Sequence, residues 1–227
     1  REIRGIVDAI LAGRVRGEAE LEALKRKASA RLALSSLPSN ADILAMCRPD
    51  ERERLKMLVR KPTRTLSGVA VIAAMTSPAR CPHGICVPCP GGISCPSPQS
   101  YTGREPAALR AAQHGFDPYR QVTARLAQLD EIGHSLDKAE LIIMGGTITD
   151  RPPGYQHWFV SRCLQAMNDY PGHGGAFLRG TAGFRTFGVE AAANETAAVR
   201  NIGTTFETRP DCCRPRDIAR MLSLGAT

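Results

Sequence analysis

The sequence contains no apolar run that approaches the roughly 18 to 20 residues needed to cross a bilayer. Its N-terminus opens with a charged stretch of helical pattern and lacks the apolar segment of a signal peptide. These absences exclude a membrane-spanning protein and favour a cytoplasmic one with no membrane partner. The mean hydropathy of -0.20 is typical of a soluble globular chain.

Two features of the chain ends bear on whether the sequence is complete. The chain has no initiator methionine, and it ends in Leu224-Gly225-Ala226-Thr227, a pattern typical of a turn that leads into a further strand. We therefore expect the sequence to be a piece of a longer protein.

The cysteines do not form the even framework of a small disulfide-rich domain. Of the eight, three are clustered and the others are Cys47, Cys95, Cys163, Cys212 and Cys213. Without a secretion signal, reduced thiols are the better interpretation. For most of the five cysteines outside the cluster, buried and inert thiols are the default.

The clustered cysteines are Cys81, Cys86 and Cys89, in a loop whose prolines and glycines rule out a regular helix or strand. Three ligands on one loop leave one coordination position free. That suits a catalytic iron–sulfur cluster or an open zinc site better than a closed structural site. Zinc remains an alternative, with Cys95 or His83 as a fourth ligand, although no second Cys-x2-Cys pair is present.

Positive charge is concentrated near the N-terminus. Residues 1–64 contain 15 Lys and Arg against 9 Asp and Glu, out of a net charge of +8 for the whole chain. The pattern predicts helices over residues 1 to about 35 and a basic linker at Arg60–Arg64. A basic segment of this kind favours a polyanionic partner, with nucleic acid first.

The remainder alternates strands and helices. Apolar runs predict strands at Gly68–Met75, Glu140–Met144 and Thr204–Thr208. Helices are predicted from Pro118 to Gly133, over Gln156–Met167, over Asn194–Ile202 and over Asp217–Leu224. The fold class is therefore α/β with a parallel sheet or a barrel, of which only about three strand–helix units are present.

Several motifs in order carry a resemblance to a known family. They are Lys61–Thr65, Ser67–Ala70, Cys81–Gly84, Cys89–Gly92, Gln99–Gly103, Glu105–Ala107, Asp117–Tyr119, Gly133–Lys138, Met144–Thr147 and Glu207–Asp211. The cysteine loop after a parallel strand resembles the radical SAM superfamily. The whole series resembles the catalytic subunit of the Elongator complex in its single-chain archaeal or bacterial form.

The resemblance implies cofactors. Cys81, Cys86 and Cys89 would hold a 4Fe–4S cluster, which on reduction cleaves S-adenosylmethionine to give a 5′-deoxyadenosyl radical. Gly145, Gly146 and Thr147 stand where radical SAM proteins bind the methionine amino group. The cysteine spacing is Cys-x4-Cys-x2-Cys, one residue longer than is usual, and Pro88 stands where an aromatic residue is usual.

The resemblance also implies a reaction, in which a carboxymethyl group is added to carbon 5 of the wobble uridine of tRNA, with acetyl-CoA as co-substrate. Lys138 corresponds to a residue that contacts acetyl-CoA. Glu207 and Arg209 follow a strand at the end where α/β active sites gather, and are candidate catalytic residues. A structural ion pair is the alternative for these two.

The basic segment corresponds to a tRNA-binding region in the family. The candidate residues for phosphate contact are Lys25, Arg26, Lys27, Arg31, Arg60, Lys61 and Arg64. The resemblance thus divides the chain into a helical basic tRNA-binding region, 1–64, and an incomplete radical SAM barrel, 65–227, without the acetyltransferase domain. We expect such a piece to be inactive alone, and a homodimer or Elongator-like accessory subunits are conceivable partners.

Two alternatives stay open at this point. One is a radical SAM enzyme with a different substrate. The other is a non-catalytic, zinc-dependent module that binds nucleic acid.

Overall fold

The computed structural model describes residues 2–90, 97–171 and 183–227. Cys95 and the Gly91-Gly92 pair of the cysteine motif lie outside these residues. The chain divides into two compact units. The first comprises Arg1–Gly68 and Ala127–Ser135, and the second comprises Val69–Leu126 and Leu136–Thr227.

The first unit is helical. It contains α1 (Glu2–Leu11), α2 (Glu18–Leu32) and α3 (Asn40–Leu44), followed by 3-10 turns at Pro49–Leu58 and Pro62–Thr65. Helices were predicted over residues 1 to about 35, and α1 and α2 confirm them. Apolar residues recur along α1 at helical spacing, so one face is buried. That face packs in a core with Leu21, Ile43, Leu55 and Leu58.

A buried carboxylate connects α1 to the 3-10 segment Pro49–Leu58 of this unit. Glu51 is 4% exposed, and its two carboxylate oxygens accept hydrogen bonds from Arg4 Nη1 at 2.7 Å and Nη2 at 2.6 Å. Arg48 adds a backbone N–H bond of 2.8 Å and an ion pair of 2.8 Å. The hydrogen bonds from Arg4 lower the pKa of Glu51 to about 2. The ionised carboxylate thus links α1 to the 3-10 segment.

The second unit contains a three-stranded parallel sheet in the order β1-β2-β3. The strands are β1 (Ala70–Met75), β2 (Lys138–Met144) and β3 (Arg200–Phe206). Met75 pairs with Met144, and Ile143 pairs with Phe206, so all three strands end at the same edge. This confirms the α/β class with a parallel sheet, whereas membership of a radical SAM barrel stays a prediction.

The crossovers between the strands contain α4 (Pro106–Gln113), α5 (Pro118–Glu131), α6 (Pro153–Asn168) and α7 (Phe187–Asn194), and α8 (Pro215–Ser223) follows β3. The predicted signals at both ends of α5 are confirmed. Asp117 Oδ1 accepts the N–H of Arg120 at 2.9 Å. Gly133 follows the helix with a φ of +89°, in the left-handed region that favours glycine.

The predicted helix over Asn194–Ile202 is wrong. The helix α7 ends at Asn194, and β3 begins at Arg200. The buried Asn194 side chain causes the turn, since its Oδ1 accepts from Asn201 N–H at 2.6 Å and its Nδ2 donates to Val199 O at 3.0 Å. Such local side-chain bonds to the backbone compete with helix continuation.

The sheet is buried against its helices. Ile72, Leu141 and Ile143 of the strands are less than 2% exposed, as are Phe159 and Met167 of α6. None of the helices in the described ranges combines the length and apolar character that a bilayer crossing requires.

The Glu51 contacts make the first unit acid-sensitive. The folded-state pKa of about 2 lies below the unfolded value of about 4.3, so this stabilisation is present above pH 4.3 and is lost as the pH falls towards 2. We expect Glu51→Gln to lower stability at pH 7 and to flatten the decline between pH 5 and 2. Urea unfolding at several pH values measures both effects. The exposed Glu53→Gln is the control, and an identical pH profile for the two variants would contradict the assignment.

Candidate metal centre

The three clustered cysteines lie at the edge of the sheet where the strands end. Cys81, Cys86 and Cys89 line one concavity of about 250 Å³, counted with the part open to solvent. The other lining residues come from the segments that follow β1, β2 and β3: His83, Gln99, Ser100, Gly146, Thr147 and Arg209. Parallel pairing brings these segments together, because the carboxyl ends of neighbouring strands meet at one edge.

The cysteine loop is built from two consecutive β-turns. Gly84 N–H donates to Cys81 O at 3.1 Å, and Cys89 N–H donates to Cys86 O at 2.9 Å. Each turn starts at a cysteine, and proline occupies the second position of the first turn, where its fixed φ is favourable. Ile85 stands between the turns. The Cys-x4-Cys-x2-Cys spacing is therefore one turn, one spacer residue and a second turn.

Each sulfur has a polar neighbour that can donate a hydrogen bond. Thr147 Oγ1 lies 3.6 Å from Cys81 Sγ, and Ser100 N–H donates to Cys89 Sγ at 3.2 Å. Cys86 Sγ has two neighbours, His83 Nε2 at 2.9 Å and Arg209 Nη1 at 3.4 Å. Such donors can hydrogen-bond to the sulfur ligands of a metal or cluster and orient them.

The cation beside Cys86 is itself held in place. Arg209 Nε donates to Asp211 Oδ1 at 2.9 Å, and this contact raises the pKa of the guanidinium and lowers that of Asp211. The ion pair that was the alternative for Arg209 is therefore present, but its partner is Asp211. Arg209 contacts Asp211 and Cys86 at the same time.

Glu207 follows β3 and extends the ladder, since its N–H donates to Ile143 O at 2.9 Å. Its carboxylate accepts a hydrogen bond from the Tyr101 hydroxyl. Burial and this bond raise the pKa of Tyr101 above its usual range. The pair connects the β3 exit to the segment after the cysteine loop.

The two glycines after β2 have different environments. Both have positive φ, +110° at Gly145 and +73° at Gly146. A Cβ at Gly145 would lie 2.6 Å from Thr76 Oγ1, which donates to Gly145 O at 2.6 Å. At Gly146, a Cβ would meet only the backbone of Gln99, at 3.9 Å. Close contact with Thr76, just after β1, therefore accounts for the need for glycine at position 145, whereas Gly146 lines the concavity.

Lys138 is not brought to this edge. It is the first residue of β2, so the length of a seven-residue strand, about 20 Å, separates it from Gly145. It is exposed and lines an open depression with Arg200, Asn201 and Glu195. A role for Lys138 would belong to a second location, at the amino edge of the sheet.

The basic candidates of the first unit differ in accessibility. Lys25 is only 8% exposed, and its Nζ donates to Glu22 at 2.8 Å, while Arg31 pairs with Glu2 at 3.0 Å. The candidates that are exposed without an ion pair to any described residue are Arg26, Lys27, Arg60, Lys61 and Arg64. Arg60 and Lys61 precede the 3-10 turn Pro62–Thr65, which contains Arg64 and is followed by Leu66, 83% exposed.

The donor set, three cysteine sulfurs on one loop, is of the kind that holds an iron–sulfur cluster. Among the described residues, no three His, Cys, Asp or Glu side chains are arranged to share one metal ion. A zinc ion needs its sulfur donors about 2.3 Å from one point. The irons of a cluster instead take one thiolate each, so the ligands spread around it.

Known proteins resemble this chain over most of its length. A family model described as the ELP3 N-terminal domain matches residues 1–66. Over 194 residues the chain is 46% identical to a tRNA uridine(34) acetyltransferase of Methanocaldococcus infernus, a match that covers 84% of this chain and 34% of that protein. It is 39% identical to Elongator complex protein 3 of Danio rerio over 234 residues, or 99% of this chain and 40% of the relative.

The chain belongs to the Elongator protein 3 family. It spans between a third and two fifths of the length of these curated relatives. A solved structure of the archaeal Elongator protein 3 of Methanocaldococcus infernus, with residues 1–46 deleted, aligns with a TM-score of 0.48 at 37% identity. That alignment covers 70% of this chain and 27% of the other.

Four residues of the site were not assigned a role from the sequence. They are Thr76, Gln99, Ser100 and Tyr101, which contact the loop after β2, the cysteine turns and Glu207. The family motif Gln99–Gly103 was the only signal that pointed to three of them. Residue type alone gives no indication, because glutamine, serine and tyrosine are common on ordinary surfaces.

The two glycines allow a matched test. Gly145→Ala places a Cβ against Thr76 and strains a positive φ, so we expect it to lower the free energy of unfolding by about 3 kcal/mol. Gly146→Ala adds only the strain of a positive φ, so we expect it to lower the free energy of unfolding by about 1 kcal/mol. Urea denaturation of both variants measures the difference. Equal losses would contradict the packing role of Gly145.

Proposed function

We propose that this chain carries the cluster-binding part of a radical SAM enzyme that modifies the wobble uridine of tRNA. The observation that carries the proposal is the convergence of three cysteine sulfurs, each with a donor neighbour, on one concavity at the carboxyl edge of a parallel sheet. The name of the Methanocaldococcus infernus relative, a tRNA uridine(34) acetyltransferase, supports the substrate.

Cys81, Cys86 and Cys89 would hold a 4Fe–4S cluster and leave one iron for S-adenosylmethionine. When bound, the reduced cluster and S-adenosylmethionine supply a carbon-centred radical. Gly146 and Thr147 lie beside Cys81 and leave backbone accessible for the methionine end of the cofactor. Gly145 supports this loop from behind through Thr76.

Arg209 and Glu207 orient the site from the β3 exit. The Arg209 guanidinium holds Cys86 and is fixed by Asp211, while Glu207 holds Tyr101. Lys138 would contact acetyl-CoA at the amino edge of the sheet, away from the cysteines. Transfer of a carboxymethyl group to carbon 5 of the uridine therefore requires acetyl-CoA to extend from that edge, or the longer protein to supply further contacts.

Transfer RNA would bind through the exposed cations of the first unit, Arg26, Lys27, Arg60, Lys61 and Arg64. Phosphate contacts of this kind position an RNA without reading its sequence. Elongator complex protein 3 relatives are named for an assembly, so accessory subunits are partners to test with the longer protein.

Cluster binding is tested by anaerobic reconstitution with iron and sulfide. The wild-type chain should become brown and contain nearly stoichiometric iron and acid-labile sulfide, whereas Cys81→Ser, Cys86→Ser and Cys89→Ser should lose most of both. Cys47→Ser is the matched control, since a hydroxyl can keep the bond that Cys47 Sγ donates to Leu44 O. A colourless wild-type chain with tightly bound zinc would instead favour a zinc module.

Transfer RNA binding is tested by a salt titration. Replacing Arg60, Lys61 and Arg64 together by Ala should weaken binding and reduce the slope of log K against log salt by about 0.7 to 0.9 for each phosphate that the variant no longer neutralises. Lys25→Met is the control, because this buried lysine is already paired with Glu22 and should leave the slope unchanged. A triple variant with the wild-type slope would remove this segment from the interface.

A further inference from the structure

The first turn of the cysteine loop leaves two backbone groups that need partners. Cys81 and Gly84 close the turn through Cys81 O and Gly84 N–H, so Cys81 N–H and Gly84 O point away from it. Gly84 has a φ of +90°, a conformation that other residues adopt at a cost. A backbone group that is shielded from water and lacks a partner destabilises the fold.

One side chain satisfies both groups. Gln99 Oε1 accepts from Cys81 N–H, and Gln99 Nε2 donates to Gly84 O at 3.1 Å. The Gln99 side chain is 4% exposed, whereas Cys81 is half-buried and Gly84 is exposed. The backbone of Gln99 lies against Gly146, in the loop after β2. Gln99 therefore links the first cysteine turn to the exit of the neighbouring strand.

Only a primary amide of this length provides both bonds. Glutamate retains the acceptor but has no donor for Gly84 O, and methionine has a similar shape without either group. Asparagine is one methylene shorter and cannot span the same distance from an unchanged backbone. The chemistry at position 99 is thus specific to glutamine.

We propose that Gln99 is the positioning residue of the cysteine loop. Its amide fixes the conformation of the turn Cys81–Gly84. It thereby sets the distance between Cys81 and Cys86, which are separated by four residues instead of the usual three. The inference deepens the proposed function, because it concerns the same three thiolates and the cluster that they would hold. Gln99 would act through the backbone of Cys81 and Gly84 and not as a metal ligand.

The first experiment needs no metal. Hydrogen exchange of the Cys81 amide is measured by mass spectrometry in the wild-type chain, Gln99→Met and Gln99→Glu. We expect exchange roughly fivefold to tenfold faster in Gln99→Met, which lacks the acceptor, and near wild-type exchange in Gln99→Glu, which retains it. Gln113→Met, at an exposed glutamine of α4, is the matched control.

The second experiment follows the cluster. After anaerobic reconstitution at limiting iron, Gln99→Met and Gln99→Glu should each bind iron with about tenfold lower apparent affinity, the size of effect found for residues that orient metal ligands. The EPR spectrum of the reduced cluster should broaden in both. Gln113→Met should match the wild type in affinity and spectrum.

Wild-type exchange at Cys81 in Gln99→Met, or a wild-type affinity and spectrum in both variants, would overturn the inference. Far-UV circular dichroism confirms that each variant is folded, and Gln99→Glu, which keeps one of the two bonds, tests the idea even if Gln99→Met is unstable. A wild-type chain that assembles no cluster would overturn the proposed function instead. The exchange measurement distinguishes the two failures, because it is made without iron.

Discussion

Parallel pairing of three strands is the constraint on which the site depends. Cys86 and Arg209, 123 positions apart, meet because Met75, Met144 and Phe206 end their strands at one edge. Every group around the sulfurs comes from a segment just after a strand or from the segment that follows the cysteine loop. Without the common edge, the cysteines would form only a proline-rich loop with three thiols.

Fixed side chains then convert this edge into a site. Thr76 holds Gly145, Gln99 holds the first cysteine turn, Tyr101 holds Glu207, and Asp211 holds Arg209. The contacts of Thr76 and Tyr101 join segments that follow different strands. Gln99 joins two parts of the segment after β1, and Asp211 fixes the direction of a charged group. The described parts of these loops contain 3-10 turns at Ile148–Asp150 and Pro210–Cys212, and side-chain hydrogen bonds supply further order.

The sequence predicts the local features well. Apolar runs locate all three strands, although β3 begins four residues earlier than expected, and the proline and glycine pattern identifies the cysteine loop. Hydrophobic pattern reports local burial, so it misjudged the Asn194–Ile202 stretch, where one buried asparagine turns the chain. The hydrophobic pattern also did not predict that Lys25 is buried beside Glu22. A long charged side chain can bury its stem on an apolar surface, and the pattern counts it as polar.

Contacts between distant residues could not be predicted in this way. Tyr101 and Glu207 are 106 positions apart, and nothing in either local pattern selects the other. Gln99 is the clearest example, since its role depends on two backbone groups whose directions exist only once the turn has formed. Residue type and spacing predicted the candidate metal ligands, whereas the residues that contact those candidates could be found only from coordinates.

The position of Lys138 at the opposite end of β2 has a thermodynamic consequence. Substitutions more than about 7 to 10 Å apart that share no partner usually change stability additively, within about 0.5 kcal/mol. Lys138 and the cysteine turns are separated by about 20 Å of strand, so changes at the two edges should combine as independent terms. Each edge of the sheet can therefore vary in sequence without requiring a compensating change at the other, and any measured coupling free energy between them would have to be transmitted through β2.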